Sequence, residues 1–141
     1  MKNLKVFSIL ALLALAISVM PGCNVSTANM SSLKTSKDKD GKEEATSFKG
    51  GDTIYAKAEI SNNPGKVKVK FSLADPQGKA MSGSDVSVDI DGDGFASYTL
   101  PTTGAMPAGS YKLNADMMND AGEKKDGKTA TLTVAAGSGD N

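Results

Sequence analysis

Two places in this chain carry residue types spaced for chemistry. From Asp89 to Phe95 the sequence runs Asp-Ile-Asp-Gly-Asp-Gly-Phe, with carboxylates at alternate positions and glycines after them. Alternating oxygens ahead of a glycine turn are how a calcium loop begins, because the ion takes about 6 to 8 oxygen ligands. The second place is Cys23, the only cysteine of the chain, directly after Pro21-Gly22.

The acidic stretch fails as a helix-flanked calcium loop. Counted from Asp89, the twelfth position should hold a bidentate glutamate and holds Leu100. The residues on both sides, Val86-Ser87-Val88 and Phe95 to Leu100, read as strands rather than helices. Two readings remain. One is a looser calcium site built from Asp89, Asp91, Asp93 and a backbone oxygen. The other, preferred here, is a tight hairpin or bulge in which Gly92 and Gly94 supply positive φ and the aspartates stay hydrated. Calcium is the one cofactor to be considered.

Composition removes several function classes. There is no histidine and no arginine among the 141 residues. Without imidazole, neither a Ser-His-Asp nor a Cys-His arrangement can be assembled. Without guanidinium, planar bidentate capture of phosphate is lost. Neither charge sign dominates, so no nucleic-acid footprint is expected. The chain is expected not to be an enzyme. The methionines Met30, Met81, Met106, Met117 and Met118 offer thioethers to copper, yet core filling accounts for them better. Tyr55, Tyr98 and Tyr111 could form a glycan platform, though tyrosines are common in sandwich cores and corners.

Ahead of Cys23, Lys2 and Lys5 precede an apolar run from Val6 to Met20, 15 residues long. That length suits the core of a signal peptide and falls short of the roughly 20 residues that span a bilayer. With Gly22 before Cys23, the arrangement resembles a bacterial lipoprotein signal. The resemblance implies cleavage before Cys23 and lipidation of its thiol. It also implies an extracytoplasmic, membrane-anchored protein, placed by Asn24 in the outer membrane if the host has two. Removing Lys2 and Lys5 leaves 14 lysines against 16 acidic residues, a net charge of −2. The competing expectation is ordinary secretion with cleavage after Ala28, since Ser26-Thr27-Ala28 is small-x-small.

The elements that must position these residues read from period. Residues 1–22 are the signal peptide, and 23–47 are polar and aperiodic, read as a lipidated N-terminus and flexible tether with a span of about 27 Å. From 48 to 136 apolar residues alternate: Ile54, Ala56, Ala58, Ile60; Val67, Val69, Phe71, Leu73; Val86, Val88, Ile90; Tyr111 to Met117; Ala130, Leu132, Val134. Turn clusters separate them: Asn62-Asn63-Pro64-Gly65, Asp75-Pro76-Gln77-Gly78, Asp91-Gly92-Asp93-Gly94 and the stretch 122–127. The pattern predicts an all-β, antiparallel, immunoglobulin-like β-sandwich of about seven strands, with residues 137–141 a disordered tail. An up-and-down barrel is the alternative. Lys66, Lys68 and Lys70 form an outward row, read as a solvated face or a guarded edge in preference to a ligand stripe.

Four landmarks occur in order: Gly50-Gly51-Asp52-Thr53-Ile54, Asp75-Pro76-Gln77-Gly78, Leu100-Pro101 and Gly109-Ser110-Tyr111. With them the segment 48–135 resembles macroglobulin-type and related bacterial immunoglobulin-like modules. The resemblance implies a fold and an adhesive or structural role in the cell envelope with a protein or glycan partner. It carries over no catalysis.

Overall fold

The computed structural model describes residues 27–101 and 106–136. Eight strands lie within them: β1 (Asn29–Ser36), β2 (Ser47–Lys49), β3 (Thr53–Ser61), β4 (Lys66–Ala74), β5 (Val86–Asp91), β6 (Gly94–Pro101), β7 (Gly109–Met118) and β8 (Lys124–Ala135). They build a three-stranded sheet in the order β1-β3-β6 and a five-stranded sheet in the order β2-β8-β7-β4-β5.

Period-two alternation explains the strands that carry the core. Along β3, Ile54, Ala56, Ala58 and Ile60 are buried, and along β4, Val67, Val69, Phe71 and Leu73 are buried. β7 adds Tyr111, Leu113, Ala115 and Met117, and β8 adds Leu132 and Val134. Beside Ile54 and Ile60, the three-stranded sheet brings small side chains, Ala56, Ala58 and Ala96, against the large ones of its partner. Small against large lets the two faces interdigitate at native density. Phe71 of β4 stacks on Tyr98 of β6 with ring centroids 5.2 Å apart, so β6 lies over β4. The fold is an all-β sandwich, as the alternation predicts.

Three expectations are corrected. The segment 23–47 is no uniform tether, because residues 29–36 form β1 and pair antiparallel with β3. Its ladder satisfies backbone groups without an apolar stripe, and Met30 alone supplies a large buried side chain. The loop that follows is closed by the Asp38 carboxylate, which accepts the Lys42 and Glu43 N–H groups at 3.0 and 2.7 Å. The Thr35 hydroxyl donates to the Ala45 carbonyl at 2.6 Å. Secondly, the five-stranded sheet is mixed, since β2 runs parallel to β8. Thirdly, β8 begins at Lys124, inside the 122–127 stretch read as a turn.

Tyr111 shows how the β6–β7 connection is fixed. Its ring is buried near the start of β7 and its hydroxyl donates to the Pro107 carbonyl at 2.6 Å. This is the tyrosine corner of immunoglobulin-like sandwiches, in which the hydroxyl bonds a few residues upstream.

Candidate functional site: the acidic corner and its groove

The acidic stretch is not a hairpin. β5 ends at Asp91 as the outer strand of the five-stranded sheet, and β6 starts at Gly94 as the outer strand of the other. Between them Gly92 and Asp93 carry the chain across the edge of the sandwich. A second crossing, β3 to β4, lies beside it at residues 62–65.

Asn63 ties the two crossings together. Its main-chain N–H donates to Asp93 Oδ1 at 2.8 Å, and its Nδ2 donates to the Gly92 carbonyl at 2.7 Å. Its Oδ1 accepts the Gly65 N–H at 3.2 Å, and the Gly92 N–H donates to the Gly65 carbonyl at 2.8 Å. Gly92 has φ +73°, whereas Gly94 lies outside the left-handed region, so only one of the two glycines is needed for its φ. Asn62 also takes positive φ, a conformation asparagine tolerates.

The three aspartates therefore diverge. Asp93 is spent on the Asn63 amide. Asp89 points from the outer face of β5 toward Lys68, with Oδ1 3.8 Å from Nζ. Asp91 sits opposite Lys66 in the β4–β5 register and is exposed. Among the described residues no three carboxylate, thiol or imidazole groups gather where they could hold a metal ion. The arrangement suits a hydrogen-bonded corner and does not bring a calcium ligand set together.

An open groove of about 550 Å³ lies on the outer face of the five-stranded sheet. Lys66, Lys68 and Lys70 of β4 form its floor, with Asp89 and Asp91 on one wall and Met118 on the other. β4 lies between β7 and β5, so the lysine row does not guard an edge, which corrects half of the sequence reading. The row is instead flanked by carboxylates: Lys68 meets Asp89, and Lys70 Nζ lies 3.7 Å from Asp85. Exposed pairs this long contribute little to stability, and they leave the groove balanced in charge.

The remaining candidates separate. Tyr98 and Tyr111 are buried and Tyr55 lies on an outer face, so the three form no shared platform. Burial, helped by Asp85, pushes the Tyr98 phenol above its ordinary range, and the hydroxyl donates to the Ser84 carbonyl at 3.2 Å. Met117 is fully buried and Met118 half-buried, on opposite faces of β7 as adjacent strand residues must be. Cys23 lies outside the described residues. Sequence reasoning passed over Asn63, whose signal was the run Asn62-Asn63-Pro64-Gly65, read only as a turn. It also passed over Asp126, whose Oδ2 accepts the Met30 N–H at 2.8 Å and joins the two sheets.

These features define an immunoglobulin-like β-sandwich. No family model matches the chain, and no curated protein matches it. Solved structures do. One is the C-terminal domain of wzt, 14% identical with a TM-score of 0.58, over 78% of this chain and 74% of that one. Another is a Niemann-Pick type C2 protein from the Japanese carpenter ant, 16% identical with a TM-score of 0.50, over 80% and 96% of the two chains. At this identity the likeness is one of fold.

Proposed function

We propose that this protein is a lipid-anchored, extracytoplasmic binding or structural module of the bacterial envelope, held to the membrane through Cys23 and without catalytic activity. The module reading also rests on the landmarks shared with macroglobulin-type domains. The choice of Cys23 over secretory cleavage after Ala28 is carried by one observation. Ala28 is 7% exposed within the core, and the Thr27 hydroxyl donates to the Asn62 carbonyl at 2.8 Å. Cleavage after Ala28 would strip both residues from the sandwich, whereas a mature chain beginning at Cys23 keeps them.

The early start of β1 changes what the anchor does. Five residues, Asn24 to Ala28, separate the lipid-bearing position from the strand. At about 3.5 Å per residue they reach at most about 17 Å. The sandwich therefore stands close to the bilayer surface and presents a restricted set of faces to its surroundings. Absence of histidine and arginine, and the spreading of the corner carboxylates over separate partners, support a non-catalytic role.

A fatty-acid label tests the proposal. Each buried methylene contributes about 0.8 kcal/mol, so several chains on Cys23 anchor stably where one would not. The wild-type chain takes up label and sediments with membranes, and Cys23→Ser takes up none. Label in Cys23→Ser, or none in the wild type, would count against the anchor.

A further inference from the structure

The three-stranded sheet is narrower than the sheet beneath it. Because β6 lies over β4, no strand of the opposite sheet among the described residues lies above the next strand outward, β5. Its inward row records this: Val86 is 40% exposed, and Val88 and Ile90 are only half-buried. Their partners across the β4–β5 ladder, Phe71, Val69 and Val67, are closed at 0%, 0% and 4%.

The edge beside that strip is unguarded. Among the described residues β6 pairs on one side only, with β3. Its sequence, Gly-Phe-Ala-Ser-Tyr-Thr-Leu-Pro, contains no charge, and Phe95 is 61% exposed. Proteins blunt free edges with charge, bulges, proline or brevity. The other outer strands obey: β5 carries Asp89 and Asp91, β1 is irregular between Met30 and Ser32, and β2 has three residues. β6 has only the proline at its far end.

We propose that β6 is a docking edge for one extended segment of a partner protein. The segment pairs with β6 as a fourth strand of the narrow sheet and lays alternate side chains over Val86, Val88 and Ile90. Main-chain bonds supply affinity in this mode, and the alternate side chains supply selectivity. A single strand fits where a second copy does not. Two-fold pairing of β6 with its counterpart would drive each overhanging β5 beneath the other copy's sheet, where that copy's own β4 stands. Charge at the ends of the gap defines the partner further. Asp93 stands at one end, in no ion pair among the described residues, and Asp85 stands at the other beside Val86, close enough to Tyr98 to act on its phenol while also lying 3.7 Å from Lys70. The fitting segment has an uncharged, alternating centre and basic residues at its ends.

Hydrogen exchange on the full chain in non-ionic detergent tests this, with the synthetic peptide KKTVTVTVKK at about 1 mM, the affinity range of weak association. Exchange across residues 94–101 slows about fivefold or more, a local protection of the kind such experiments resolve. A peptide with lysine in place of its valines gives no protection, and EETVTVTVEE gives markedly less. Val88→Lys abolishes the effect while β7 stays protected; if β7 is lost, Val86→Lys, at a more exposed site, replaces it. Unchanged exchange at 94–101, or protection that persists in the folded lysine variant, overturns the proposal. So does protection over Lys66 to Lys70 instead, which would assign binding to the groove. Protection of 94–101 without peptide that rises with protein concentration would assign the edge to a second copy and overturn the partner reading.

Discussion

Asn63→Ala should be among the most costly substitutions of a polar side chain in the sandwich. The truncation removes the 2.7 Å bond to the Gly92 carbonyl and the 3.2 Å bond from the Gly65 N–H. The main-chain bond from Asn63 to Asp93 survives, since it needs no side chain at position 63. An intramolecular hydrogen bond contributes about 1 kcal/mol net, and a partner left unsatisfied under cover costs about 1–3 kcal/mol. Asn63 is 8% exposed, yet the corner borders solvent, so water recovers part of the loss. The sum is about 2–3 kcal/mol. At about 4 °C per kcal/mol for a domain of this size, the midpoint falls by about 10 °C. Guanidinium unfolding followed by far-ultraviolet circular dichroism and by tyrosine fluorescence gives the free energy, and agreement of the two probes checks two-state behaviour. Asp91→Asn, beside the same corner but without a bond to it, should be nearly neutral. A cost below about 0.5 kcal/mol for Asn63→Ala, or an equal cost for Asp91→Asn, would refute the claim that Asn63 holds the crossings together.

Two further substitutions and one titration probe the core, the tyrosine corner and the loop after β1. Tyr111→Phe keeps the buried ring and leaves the Pro107 carbonyl without its partner, so it should cost about 1–2 kcal/mol in the same denaturation assay. Val69→Asp places an unpaired carboxylate at a fully buried position and should abolish the cooperative β-type transition, as circular dichroism would show. The Glu43 and Lys42 amides hold the Asp38 carboxyl below its ordinary value of 3.8, so its contribution is present above that value and lost as pH falls through the folded one. Exchange at the Glu43 amide should accordingly lose protection in acid, and Asp38→Asn should remove that pH dependence.

Strands with one face in the core and one in water were legible because each inward residue is apolar: β3, β4 and β7 follow the alternation of Ile54 to Ile60, Val67 to Leu73 and Tyr111 to Met117. β1 was not. Its irregularity between Met30 and Ser32 breaks the period, and the polar Thr35 and Ser36 stand buried at its end. β2 has three residues and a parallel partner more than eighty positions away, which no local pattern announces. The acidic stretch gave the right punctuation and the wrong connection. Asp-Gly-Asp-Gly suits a hairpin and a crossing equally, and the choice is made by distant pairing, β5 with β4 and β6 with β3. The calcium question turns on the same fact, since Asp93 is claimed by Asn63 from a loop thirty residues earlier.

The intact mass of the mature protein, taken from membranes of a bacterium that processes the full chain, decides between an anchor at Cys23 and secretion. A polypeptide beginning at Cys23 with the added mass of its acyl chains is expected, because it keeps the Ala28 side chain in the core and the Thr27 bond to the Asn62 carbonyl. A polypeptide beginning at Asn29 with no lipid mass would contradict the anchor.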